Sequence, residues 1–154
     1  MNKNQPVGVK AWLPVAVWMG VIFSFSTDYF SGRNTYAFLA PLFASLFPSL
    51  SAAQIDTIHL GLRKFGHWSE YFILAVLLLR ALRVNFPRRS QLNRFGWCVA
   101  LATLYAAGDE WHQSFVPSRT ASICDVMIDA FGAICGTIWL SLRGPQLTPK
   151  KNRP

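Results

Sequence analysis

The stretch ICDVMIDAFGAICGTIWLSL, running from Ile123 to Leu142, decides how the chain is read. A helix crossing a hydrocarbon core of about 30 Å takes roughly 17–25 predominantly apolar residues, and this block is that long and holds no basic residue. It nevertheless carries two acids, Asp125 and Asp129. An acid at the centre of a spanning helix costs on the order of 2.5–3.5 kcal/mol, so both need a protein partner or a function. Asp125, Asp129, Gly132 and Gly136 recur at intervals of four, three and four, which places them on one stripe of a helix. Glycines so spaced let a second helix approach closely. The stripe therefore predicts two carboxylates above a packing groove, facing a helical bundle and not lipid.

Working outward, the remaining apolar residues also come in blocks: Ala11 to Phe25, Trp68 to Leu82 and Phe95 to Ala107. The chain is 52% hydrophobic and 14% charged, whereas a soluble domain carries about 25% charge. The expected fold is an all-α integral membrane protein, one domain over residues 1–154. Its four transmembrane helices fall at about 11–27, 66–84, 95–112 and 122–142, and a basic tail at 144–154 is expected to be disordered. The end of the first block, Phe23-Ser24-Phe25-Ser26-Thr27, has no Ala-x-Ala-like cleavage pattern, which favours an uncleaved anchor over a secretory signal. Cys98, Cys124 and Cys135 form neither a C-x-x-C pair nor a disulfide framework.

The long connection after the first helix is expected to be an outer segment, amphipathic or re-entrant. Residues 28–34 read as a turn. Tyr36 to Leu50 is apolar but too short to span, and it is interrupted by Pro41 and Pro48. Ser51 to Gln54 has the form of a capping box. It opens a helix whose Ile55, Ile58, Leu62 and Phe65 share a face, predicting an amphipathic helix lying on the outer surface with His59 exposed. Gly144-Pro145 ends the fourth helix.

Basic residues set the orientation. With the N-terminus inside, the inner set is Lys3, Lys10, Arg83, Arg88, Arg89, Arg94, Arg143, Lys150, Lys151 and Arg153, against Arg33, Arg63, Lys64 and Arg119 outside. Arg80 can snorkel to the inner surface. The asymmetry obeys the positive-inside rule and puts both termini in the cytoplasm. It also accounts for the net charge of +8, with no nucleic-acid-binding module in the sequence. Trp68 and Trp111 read as interfacial belt residues.

This topology gathers the polar residues in one leaflet. His67 and Glu70 open the second helix, Asp109, Glu110, His112 and Gln113 close the third, Arg119 lies in the outer turn, and Asp125 and Asp129 open the fourth. These nine are the candidate site. Glu110 points about 100° away from Asp109, towards either a neighbouring helix or the headgroups. Five acids set against Arg119, Arg63 and Lys64 leave an excess of negative charge. Shared protons, cationic histidines or a divalent cation would each resolve it. Imidazole and carboxylate suit Zn²⁺ or Mn²⁺, and carboxylates alone Mg²⁺ or Ca²⁺. No ligand spacing here is diagnostic, and the cofactor stays unassigned.

Three ordered motifs carry a resemblance. Leu62 to Phe72, with Lys64, His67, Glu70 and Tyr71, resembles the entry into the second helix of the VanZ-like family. Asp109-Glu110-Trp111-His112-Gln113-Ser114-Phe115-Val116-Pro117-Ser118-Arg119 is similar to its D-E-x-x-Q-x-F-x-P-x-R signature, and Asp125-x-x-x-Asp129-x-x-Gly132-x-x-x-Gly136 to the motif that follows. Ser118 and Gly108 depart from the residues usual at their positions. The resemblance spans about Trp12 to Leu142. It implies a small multi-pass protein of the bacterial inner membrane, whose namesake is associated with resistance to teicoplanin-type lipoglycopeptides. It implies no particular reaction.

Two functions fit these residues. One is a membrane-embedded hydrolase or transferase acting on a lipid-linked envelope substrate. There His67 or Glu70 would be the general base, Asp125 and Asp129 would orient the site or hold a cation, and Arg119 would pair with a phosphate or carboxylate. The other is a non-catalytic factor that binds an amphiphile or partner protein through the same pocket. Membrane lipids or a lipid-linked envelope molecule are the expected partners in either case, and the oligomeric state is open. A purely structural reading makes the cluster a helix-tying network, with Asp109 and Arg119 as a buried salt bridge.

Overall fold

The computed structural model describes residues 8–143; Lys3, the Gly144-Pro145 stop and the basic tail at 144–154 lie outside the described residues. Those residues form five helices and no strand: α1 (Gly8–Phe25), α2 (Gly32–Leu46), α3 (Ala52–Asn85), α4 (Gln91–Gln113) and α5 (Ile123–Arg143), with a single 3₁₀ turn at Asp28–Phe30. The all-helical reading holds. α1, α3 and α5 are long and apolar enough to cross a membrane. α4 matches them in length at 23 residues, but Asn93 and Arg94 at one end and Asp109 to Gln113 at the other lower its hydropathy.

α3 is the axis of the bundle and touches every other helix. It buries Tyr71, Leu74, Ala75, Leu78, Leu79 and Leu82 against Val15 and Ile22 of α1, Cys98, Ala102 and Ala106 of α4, and Ala133 of α5. The small side chains of α4 repeat every fourth residue, so that helix comes in close. Cys98 Sγ lies within hydrogen-bonding reach of the Ala75 carbonyl. α5 approaches closer still. A Cβ at Gly132 would collide with the Trp68 carbonyl, and one at Gly136 with that of Phe72. The glycine stripe thus faces α3, with main chain against main chain. Leu13, Val17, Trp97, Leu104, Met127, Phe131 and Leu142 point outward. Such a surface would be an aggregation hazard in water and suits lipid.

The outer segment differs from expectation in three ways. The capping box is present, with Ser51 Oγ accepting from the Gln54 N–H and Gln54 Oε1 accepting from the Ser51 N–H. However, the helix it starts is not a separate surface helix; it runs unbroken into the apolar segment as one 34-residue helix. The proline-interrupted stretch folds as α2 despite Pro41 and pairs with the first half of α3 as a helical hairpin. His59 is buried and not exposed: its Nε2 lies 3.0 Å from Thr35 Oγ1 and its ring packs edge-on to Tyr36. Of the predicted apolar face only Ile55 is buried, while Ile58, Leu62 and Phe65 are exposed. The hairpin turns its polar side inward because α2 offers hydrogen-bonding groups there.

Candidate functional site

α1 ends at Phe25, and its last turn exposes carbonyls that have no helical partner. Arg119, on the connection between α4 and α5, reaches across and donates through Nη2 to the Phe25 carbonyl and, at 3.0 Å, to that of Thr27. Ser118 bonds the Asp28 carboxylate. These contacts fasten the α4–α5 connection over the end of α1. Burial, with Arg63 nearby, lowers the Arg119 pKa from its ordinary value.

Below this clasp the polar residues divide into separate groups. Asp109 is buried, and its Oδ2 accepts from Ser26 Oγ at 2.6 Å and from Gln113 Nε2 at 2.9 Å. Gln113 Nε2 also donates to Ser26 Oγ at 3.2 Å, closing a three-membered network between α1 and α4. The Asp109–Arg119 bridge of the purely structural reading does not form among the described residues. Carbonyls of the α1 end take the guanidinium, and a serine and an amide take the carboxylate.

Glu110 turns the other way, as its 100° offset requires, and meets α5. Its Oε2 accepts the Ser122 N–H at 2.8 Å, satisfying a free donor just before α5 begins. His67 does not pair with Glu70 one turn along; its Nδ1 lies 3.3 Å from Asp129 Oδ1. The two approach without hydrogen-bond alignment. Asp125, one turn from Asp129, takes Lys64 as its ion-pair partner. His112 rests against the Phe23 ring, with centroids 4.7 Å apart. Glu70 faces an open cavity.

That cavity, about 340 Å³, has walls from Phe25, Phe30, Leu39 and Leu62, cations from Arg63 and Arg119, and polar groups from Ser26, Thr35, His59, His67, Glu70 and Gln113. A second hollow of about 490 Å³ opens beside it and shares His59, Arg63 and His67, adding Arg33, Lys64 and Asp125. Of the nine candidates, Glu70, Gln113, Arg119 and His67 line the first cavity, and Asp125 and His67 the second. Glu110 and Asp129 meet His67 behind it. His112 lines neither.

Sequence reasoning missed Ser26 and His59 as site residues. Ser26 sits just beyond the end of α1, yet nothing in its neighbours names Asp109 as a partner. For His59 a signal was present: Ile55, His59, Arg63 and His67 recur every fourth residue, a stripe that leads directly to the cavity.

No curated protein and no solved structure matches the chain at a significant level. The VanZ/LLP1 family model matches residues 11–143, a span that takes in every side chain placed above, and the chain therefore belongs to the VanZ/LLP1 family.

Proposed function

We propose that this VanZ/LLP1 protein is a four-span protein of the bacterial inner membrane with both termini cytoplasmic. In this reading its outward-facing cavity binds the anionic head of an amphiphile, a membrane lipid or a lipid-linked envelope molecule. Occupancy of that cavity is how it would alter the envelope and sensitivity to teicoplanin-type lipoglycopeptides. α4 counts as the fourth span because its polar ends have protein partners: Asp109, Glu110 and Gln113 are buried in the bundle, and Arg94 bonds the Phe86 and Pro87 carbonyls.

The observation that carries the proposal is the pairing, in one cavity, of two guanidiniums with an aromatic and aliphatic wall at the end of α1. Guanidinium forks match phosphate and carboxylate oxygens, while Phe25, Phe30, Leu39 and Leu62 offer an acyl or prenyl chain an apolar path. A purely polar solute would use only half of such a surface. Binding is what the cavity supports, with or without turnover.

Native mass spectrometry of the full chain, extracted from its own membrane, tests this. The wild type is expected to retain one anionic amphiphile per chain. The Arg63→Gln, Arg119→Gln double variant should retain at least about tenfold less, in line with about 1.5–3 kcal/mol for each hydrogen bond to a charged group. Equal retention by both proteins would overturn the proposal. Orientation is tested separately by an impermeant thiol reagent in a background lacking Cys98, Cys124 and Cys135. Ser118→Cys should be modified in intact cells and Arg88→Cys should not. The reverse pattern would move the cavity to the cytoplasmic side.

A further inference from the structure

His67 of α3, Glu110 of α4 and Asp129 of α5 each contribute a nitrogen or oxygen to a cluster whose atoms all lie within 4.8 Å of one another. Asp129 is fully buried and Glu110 is 5% exposed. None of His67 Nδ1, Glu110 Oε1, Asp129 Oδ1 or Asp129 Oδ2 has a hydrogen-bond partner among the described residues. Unsatisfied buried polar atoms cost about 1–3 kcal/mol each, and charged ones more. Three side chains that gather such atoms in one small region need a common explanation. Of the cations close by, Lys64 pairs with Asp125, and Arg119 spends Nη2 on the carbonyls ending α1.

We infer that these three side chains bind a divalent cation of the Zn²⁺ or Mn²⁺ class. Two carboxylates and one neutral imidazole bring two negative charges into a largely buried site, and a divalent cation balances that charge. The mixed nitrogen and oxygen set favours Zn²⁺ or Mn²⁺ over Ca²⁺, which takes six to eight oxygens. Geometry agrees. Zn–N and Zn–O bonds of about 2.0–2.2 Å put tetrahedral ligand atoms about 3.3–3.6 Å apart, and His67 Nδ1 stands 3.3 Å from Asp129 Oδ1. That spacing, without the alignment of a hydrogen bond, fits two ligands of one ion better than a donor and its acceptor.

The surroundings are built to hold the set. The Ser122 N–H fixes Glu110 through Oε2 and leaves Oε1 free, as supporting hydrogen bonds do for metal-binding carboxylates. Gly132, three residues beyond Asp129, presses α5 onto the backbone of α3 at Trp68, next to His67. Three protein ligands leave a fourth position, as in sites that keep one for water or substrate. His67 also borders the cavity, so that position has a route to it. The inference stands on these ligands alone and does not require an amphiphile in the cavity.

The test uses the full chain in detergent, carrying no polyhistidine tag, stripped with a chelator and titrated with Co²⁺ and then Zn²⁺. The wild type should bind one equivalent of Co²⁺, develop visible absorption bands and lose them on Zn²⁺ addition. His67→Gln, Glu110→Gln and Asp129→Asn should each weaken Co²⁺ binding by about 100-fold or more, beyond the 10–100-fold typical of losing a supporting residue. Asp56→Asn, on the exposed side of α3, should bind as the wild type does. The wild-type titration decides even if a variant fails to fold: no stoichiometric Co²⁺ overturns the inference. So does Co²⁺ bound unchanged in all three variants. Amphiphile retention measured on the chelated protein separates this result from the cavity's, since either can fail alone.

Discussion

Replacing Gly132 with alanine is expected to destabilise the protein by about 1–3 kcal/mol, the usual cost of overpacking, and to spoil the site with it. The added methyl would collide with the main-chain carbonyl of Trp68. A helix carbonyl cannot swing aside as a side chain can, so α5 must shift away from α3. That movement carries Asp129 away from His67. Gly136 meets the Phe72 carbonyl in the same way, and Gly136→Leu, with its larger side chain, should cost more. Gly96 of α4 has open space around it, so Gly96→Ala should melt at or slightly above the wild-type temperature, alanine being up to about 1 kcal/mol better in a helix. Thermal unfolding in detergent reads the difference. Equal melting of Gly132→Ala and Gly96→Ala would mean that the stripe does not pack against α3.

Asp109→Leu should be still more damaging, while Asp109→Asn should fold. Leucine removes the acceptor that serves Ser26 and Gln113, leaving two buried donors short at about 1–3 kcal/mol each. Asparagine keeps an oxygen for them and removes a buried charge. The expected outcome is a leucine variant depleted from the membrane and an asparagine variant at normal abundance, measured by immunoblot of membrane fractions. Because Arg119 bonds to the end of α1 and not to Asp109, adding Arg119→Gln to Asp109→Asn should rescue nothing. A double variant more stable than Arg119→Gln alone would point to direct pairing.

Much of this molecule could be read from its residue pattern, for reasons that also explain the errors. The α5 stripe was legible because acids and glycines at helical spacing leave only one face for a neighbouring helix. Glu110 was legible as a departure, since 100° per residue separates it from Asp109, but its target, the Ser122 N–H, depends on how the α4–α5 connection closes. Arg119 misled because a sequence shows charges and hides free carbonyls, and the end of α1 competes for the guanidinium. The hairpin misled for a different reason. Ile55, Ile58, Leu62 and Phe65 read as the one apolar face of a helix on the outer surface with His59 exposed, whereas the packed face is that of Ile55, His59 and Arg63. Where the surroundings are themselves apolar, hydrophobic periodicity no longer says which side is inside.

The unbroken length of α3 has a consequence for where this protein can reside. Its 34 residues extend about 51 Å at 1.5 Å per residue, against a hydrocarbon core of about 30 Å. Tilt alone would have to exceed about 50° to hide the difference, beyond the usual 0–40°. Asn85 bonds the Gly8 carbonyl, so α3 ends level with the start of α1 at one face, and the surplus at its N-terminal end emerges at the other with α2 beside it. In the proposed topology, exposed Phe38, Leu46, Leu60 and Phe65 would lie among the headgroups. A thicker bilayer would draw them into hydrocarbon, and a thinner one would strand them in water. The mouth of the cavity, at the base of the same hairpin, would rise or sink relative to the headgroup layer with membrane thickness, making access to the site a function of the lipids around it.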